Sequence, residues 1–406
     1  MFGVQKNLIA NHHKSSPLQS SSNYYLFILG VFLFTSPFYV LPRGLPQPAD
    51  YILVLAMLPG LSFIFLQANK KITIPLIFGG IFVAITISVN LTNFFFYEKT
   101  DPRFLKSSLY YLYNFSVFIF IGHLVRNFPL RAAEIICWSV LFTTIFQILS
   151  VIFFPDNTLR QTGLFANPNQ LGYWSLLTFF MLILARGGSY FRLHDYFLIL
   201  GLLFLETSTL SKAGMITFLI GMMTLPFLYQ FNKEGRYVFM LGAFIAICAI
   251  ALNPEVIDRI KNIQKIVTVY DEISTVGQEK GESFSSRGYS RIWSFPHFTI
   301  LGSGEGGFDR YKDFDQAYEM HSGWGTIIFS YGIMGAASFI VFLGAIALRI
   351  PVQYAILLGC VILYGIPHQN IRFTHFWVFL AVIWESRAII NANMQKYKLQ
   401  AKRSVI

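Results

Sequence analysis

Residues 72–96 read ITIPLIFGGIFVAITISVNLTNFFF, an uncharged run between Lys70 and Lys71 on one side and Glu98 on the other. A helix needs roughly 20 apolar residues to carry its backbone through about 30 Å of hydrocarbon, and this run supplies them. Comparable runs lie at 24–42, 51–67, 108–124, 133–154, 169–185, 194–208, 212–230, 237–252, 321–347, 350–366 and 371–390, which makes twelve predicted spans. Only 13% of the residues are charged and 54% are hydrophobic, where a water-soluble fold carries about 25% charge. The runs are continuous and do not alternate in segments of about ten residues, so the expected fold is an all-α polytopic membrane protein and not a barrel.

Charge then orders the loops. With the N-terminus in the cytoplasm, the inside loops hold Lys70, Lys71, Arg126, Arg131, Arg186, Arg192, Lys233, Arg236 and Arg349, and the tail adds Arg387, Lys396, Lys398, Lys402 and Arg403. About half of the 31 basic residues thus fall inside with few acids, while basic and acidic residues nearly balance outside, as the positive-inside rule expects. The net charge of +11 is accounted for by topology and calls for no nucleic acid. The expected organisation is a cytoplasmic tail (1–23, read as retained, not as a signal peptide), nine spans (24–252), an extracytoplasmic loop with short helices (253–320), three spans (321–390) and a basic cytoplasmic tail (391–406). The joint between Glu206 and Lys212 decides the sidedness of every later loop, since the two spans there are separated by almost nothing. Within the long loop, Asn253, Pro254 and Glu255 open a predicted interfacial amphipathic helix, and Gly277–Ser286 reads as a connector. Cys137, Cys248 and Cys360 lie in apolar runs and read as packing residues.

Two polar stretches interrupt the apolar pattern and come out on the same side: RQTGLFANPNQ (Arg160–Gln170) and the segment from Asn253 to Met320 that runs into His321. Arg160 presents a planar fork of donors suited to phosphate oxygens. Asn167, Asn169 and Gln170 are amides entering a helix, placed to bond sugar hydroxyls or to cap that helix. Arg287 and Arg291 stand four apart beside Trp293, and two like charges on one face repel unless an anion lies between them. Taken singly, headgroup anchoring explains each of these arginines as well as a site does. LGSGEGGF (Leu301–Phe308) is a glycine-rich turn that no strand precedes, so it is not a dinucleotide fingerprint. His321 can titrate near neutrality, with Glu319 close by to orient or activate it as a base. Lys212 in TSTLSKAG is a further cation, and His368, Arg372 and His375 in the last outer turn add to a basic rim. Together these groups suit glycosyl transfer from a lipid diphosphate, whose leaving group builds negative charge that arginines stabilise.

RQTGLFANPNQLGYW, TSTLSKAG, SRGYSRIW with LGSGEGGF, and HSGWGTIIFSYGIMG, in that order, resemble the O-antigen ligase and O-antigen polymerase family of bacterial surface polysaccharide assembly. The resemblance implies a GT-C-type protein of the bacterial inner membrane with its site facing the periplasm. By position, Arg160 is similar to the family's arginine in the earlier outer loop, Arg287 or Arg291 to that of the long loop, and His321 to the histidine opening the following span. Ser211-Lys212 departs from the family's Ser-Arg, keeping the charge but losing the bidentate fork. The implied activity is polymerisation of undecaprenyl-diphosphate-linked repeat units, with transfer of the glycan to lipid A-core or another acceptor as the alternative. A lipid-linked-sugar transporter or flippase is the rival of another class, and it would place ionisable groups at mid-membrane. The expected partners are the undecaprenyl-diphosphate-linked glycan, an acceptor glycan or lipid A-core, membrane lipids and a chain-length regulator. No cofactor and no metal is expected.

Overall fold

The computed structural model describes residues 17–42, 45–66, 73–96, 101–156, 158, 160–187, 189–228, 288–311 and 319–403. The predicted span 237–252, the helix expected from Asn253, the connector 277–286, Cys248 and Arg287 lie outside the described residues. Among those described there is no strand. The helices are α1 (Pro17–Thr35), α2 (Pro48–Leu66), α3 (Ile74–Phe96), α4 (Arg103–Asn127), α5 (Pro129–Phe153), α6 (Pro168–Ala185), α7 (Leu193–Ser208), α8 (Lys212–Leu228), α9 (Ser290–Ser294), α10 (Pro296–Leu301), α11 (Gly323–Ala347), α12 (Val352–Tyr364), α13 (Thr374–Trp384) and α14 (Ser386–Arg403). Four of them, α3, α4, α5 and α11, are long and apolar enough to cross a membrane by length and composition. Large apolar side chains such as Phe96, Phe154, Ile216 and Met334 stand exposed on the outside. Lipid, not water, is the solvent such a surface fits.

Most predicted spans coincide with a helix, and the two displaced ones have local causes. α1 stops at Thr35, short of the predicted 42, because Pro37 and Pro42 supply no backbone N–H and disfavour helix in the residue before them. The predicted span 371–390 is divided at Glu385 into α13 and a polar α14. Cys137 and Cys360 are buried and free, as packing residues are.

Two helices form the centre. Every residue of α6 from Leu171 to Ala185 is buried, as is every residue of α13 from His375 to Trp384, the all-round apolar pattern of an enclosed helix. α13 packs on α4 and α6, while α11 packs on α3. The joint at Glu206–Lys212 is a hairpin. α7 and α8 meet in a turn where Leu210 takes φ 52°. α8 then runs alongside α6, with Phe218 stacked on Phe179 at 4.5 Å and Gly221 against the Phe180 ring.

The bundle has two unlike ends. At one, Arg186 donates to Asp195 at 2.8 Å, whose other oxygen accepts from the Arg192 N–H at 2.7 Å, and Asn393 of α14 bonds the carbonyls of Ala185 and Gly187. At the other end lie the start of α6, the turn after α7, the segment before α11 and the turn between α12 and α13. The described residues of both polar stretches come together there.

Candidate active site

A cavity of about 860 Å³ opens among these loops. Asn167, Asn169, Gln170, Glu319 and His321 line it, together with Arg372, His368 and the rings of Tyr39, Tyr110 and Tyr173. That volume suits a sugar-sized or larger ligand. The amides of the first polar stretch, Glu319 and His321, and the rim residues His368, Arg372 and His375 therefore share one space, although they come from three distant parts of the chain.

The start of α6 builds one wall. Asn167 is the N-cap: its backbone is extended and its side chain accepts from the Asn169 N–H at 2.8 Å, with Pro168 in the first turn. Such a cap satisfies one of the donors a helix start leaves unpaired. Arg160 donates through Nη2 to Asn169 Oδ1 at 2.6 Å and through Nε to the Thr209 carbonyl at 2.9 Å. It therefore stands one residue behind the wall, tying the start of α6 to the α7–α8 turn. Tyr364 closes the network by donating to the Asn169 carbonyl at 2.9 Å.

At the same end of the bundle, α11 is broken. Gly332 has φ 68° and ψ −174° inside that helix, a conformation only glycine adopts readily. The break frees the carbonyls of Phe329 and Ser330, and the glycine-rich turn takes them over. Ser303 N–H donates to Phe329 O at 3.0 Å and Gly304 N–H to Ser330 O at 2.8 Å. A methyl group on Gly332 would run into the Ile300 carbonyl. Arg310 braces the same turn from its Nη2 to Ser303 O at 2.8 Å, and Asp101 accepts from the Gly307 N–H at 2.6 Å. Burial works to raise the Asp101 carboxyl, but the N–H groups of Gly307 and Arg103 and the Arg103 guanidinium outweigh it and hold the carboxyl below its usual range.

Held this way, the turn delivers Glu305 into the protein, where it is 1% exposed. Its Oε1 accepts from Tyr111 at 2.7 Å and from Tyr331 at 2.6 Å, its backbone N–H donates to Asn90, and its Oε2 pairs with Arg372. The other edge of that guanidinium donates to Glu319 Oε1 at 2.7 Å. Burial opposes the Arg372 charge, yet the two carboxylates outweigh it and hold the guanidinium above its ordinary value.

His321 is exposed to the cavity between two anchored neighbours. Met320 is buried on one side. On the other, Ser322 caps α11 by accepting from the Gly325 N–H at 3.0 Å, while the Gly323 N–H donates to the carbonyls of Gly365 and His368. The carboxylate of Glu319, expected beside His321, is engaged by Arg372. Arg291 is 1% exposed, with its guanidinium 4.6 Å from the centre of the Tyr311 ring. It borders a separate void of about 10 Å³ with Glu305, Glu319 and Arg372. Trp293 beside it is exposed, as a headgroup anchor would be. Lys212, the exposed first residue of α8, is not among the residues lining either space. His375 is buried, its ring Nε2 2.9 Å from Ser36 Oγ, and no group of three or more metal-ligating side chains occurs among the described residues.

Sequence reasoning passed over Glu305 and ranked Arg372 low. The signal for Glu305 was its place as the lone acid among four nearby glycines, which lets a backbone approach its neighbours closely enough to bury a charge.

The fold and site thus define a multi-pass helical membrane protein with a polar, cation-bearing cavity at one end of the bundle. Residues 196–340, from within α7 to within α11, match the family model described as O-antigen ligase, in agreement with the motif resemblance. That range holds Lys212, Arg291, Glu305, Glu319, His321 and the kink at Gly332. Arg160, the start of α6 and Arg372 lie outside it. No curated protein matches the chain.

Proposed function

We propose that the protein is an inner-membrane glycosyltransferase that extends a polysaccharide by taking glycan units from an undecaprenyl-diphosphate carrier, with its cavity facing the periplasm. One observation carries the reading: a histidine, an arginine, carboxylates and several amides from separate loops face a single cavity at the end of the bundle away from the Arg186–Asp195 pair. His321 takes the proton from an acceptor hydroxyl, the hydroxyl oxygen bonds to the anomeric carbon, and the bond from that carbon to the diphosphate breaks with its electron pair on the leaving group. Positive charge nearby stabilises the departing diphosphate. Arg160 supplies it from behind Asn169, together with Arg287 or Arg291. Asn167, Asn169, Gln170 and Lys212 are assigned to substrate binding, with the amides directed at sugar hydroxyls. The ligase reading, transfer of the finished glycan to lipid A-core, is favoured by the description of the matching family.

The test is to reconstitute the purified protein in vesicles with lipid-linked single repeat units. Polymerase activity produces a ladder of longer glycans, and transfer only to a different acceptor identifies a ligase. Arg160→Ala and His321→Ala are expected to abolish product while the protein remains inserted and abundant. Full activity in either variant removes that residue from the mechanism.

A further inference from the structure

We propose that the cavity-facing edge of Arg372 is an anion subsite for a phosphate group, where the carboxylate of Glu319 stands in the ligand's place. The inference rests on the functional reading above for the identity of the natural ligand, but the site itself rests on the arrangement of three side chains.

The guanidinium of Arg372 meets two carboxylates, and they are held in very different ways. Glu305 is 1% exposed and fixed by Tyr111, Tyr331 and its own backbone bond to Asn90. Its position does not depend on Arg372 alone. Glu319 is 38% exposed at its side chain, lies on the cavity wall, and meets Arg372 through a bond of 2.7 Å from Nη1. One positive charge between two negative ones is overcompensated, so one of the two acids is replaceable. The exposed one is the less costly to release, because its carboxylate moves into a polar cavity while Glu305 would be left buried and unpaired. The fixed acid orients the arginine and the loose one fills the place of an incoming anion.

The geometry of the fork supports this division. Nη2 is committed to Glu305 and Nη1 to Glu319, and Nε is buried without a hydrogen-bond partner. A phosphate that takes the place of Glu319 meets, at Nη1, the same charge and the same charge-assisted donor that the carboxylate now uses. Arg372 also stands in the turn that opens α13, a central helix with every residue from His375 onward buried. Its backbone carbonyl accepts from Asn114 at 3.2 Å, so the group has a rigid mount.

The decisive variant is Glu319→Gln, which removes the competing charge at a partly exposed position and keeps the side chain's shape. Binding of inorganic pyrophosphate and of farnesyl diphosphate to the full-length protein in phosphatidylcholine nanodiscs is measured by calorimetry. Both are expected to bind about fivefold more tightly to Glu319→Gln than to the unaltered protein, the scale of one partly exposed ion pair. Arg372→Lys should lose that gain when combined with Glu319→Gln, since a lysine keeps the charge for Glu305 but not the fork. Should Arg372→Lys fold poorly, the comparison moves to Glu319→Gln against Glu319→Asp, where the shorter acid is expected to bind the probes with intermediate affinity. Unchanged or weaker binding in Glu319→Gln overturns the proposal, as does a gain that survives Arg372→Lys. Repeating the titration in nanodiscs containing phosphatidylglycerol separates the sources: if a lipid headgroup occupies the subsite, the gain disappears there, and if a soluble or polyprenyl diphosphate does, it persists. Because binding is read without turnover, the outcomes separate. A gain in binding with no glycan transfer by any form of the protein would sink the functional reading and leave the subsite standing, whereas transfer that depends on His321 with no gain would do the reverse.

Discussion

Asn167–Gln170 and Gly302–Gly307 border the same end of the bundle and are built on opposite plans. The first has a local core, in which Asn167 caps the helix that Pro168 opens through a bond reaching only two residues along the chain, and only Asn169 is tied further out, to Arg160 and Tyr364. The second is satisfied almost wholly from elsewhere, by carbonyls of α11, by Asn90 of α3, by Tyr111 of α4 and by Arg372 before α13. A locally satisfied stretch can lose one bond and keep its shape. A stretch whose partners come from three helices and a distant turn transmits any loss to all of them, so the two plans should differ in how much a single substitution costs.

The largest effect is expected for Glu305→Ala. It strips Tyr111 and Tyr331 of their acceptor and leaves the inner edge of Arg372 without its counter-charge, which should cost about 3–5 kcal/mol and show as a large fall in the unfolding temperature of the purified protein. A loss below about 1 kcal/mol would mean that this junction is not cooperative. Gly332→Ala comes next, at about 2 kcal/mol or somewhat more, from the left-handed backbone and the encounter with the Ile300 carbonyl. Limited proteolysis between α10 and α11 should register it, and a variant as resistant as the unaltered protein would show that the kink is not tied to the turn. Asn167→Ala should cost only about 1 kcal/mol, the ordinary value of a helix cap. An unfolding temperature lowered as far as by Glu305→Ala would erase the contrast between the two stretches.

The same contrast explains what the sequence made legible. Spans are a property of composition over some twenty residues, so the runs at 72–96, 133–154 and 169–185 coincide with α3, α5 and α6 to within a few residues. The cap at Asn167 was legible because its chemistry is contained in Asn-Pro-Asn. Glu305 and Arg372 lie far apart in the chain, and nothing in the local pattern of either says that they meet. The glycine-rich turn was legible as a turn and not as a dinucleotide fingerprint, but the broken helix that its glycines approach was not. Glu319 was seen as a neighbour of His321 because it is near in sequence, whereas its bond is with a residue delivered by another turn.

Leu210 is the one non-glycine residue with positive φ among those described, and it sits where α7 reverses into α8. Each reversal of direction switches the face on which the next connection emerges. A continuous rod through this point would have sent α8 out beyond the lip and left Thr209 in the middle of a helix, its carbonyl already spoken for. By folding back, the chain exposes that carbonyl to Arg160. A single strained leucine thus fixes both the orientation of a crossing and the seat of a guanidinium.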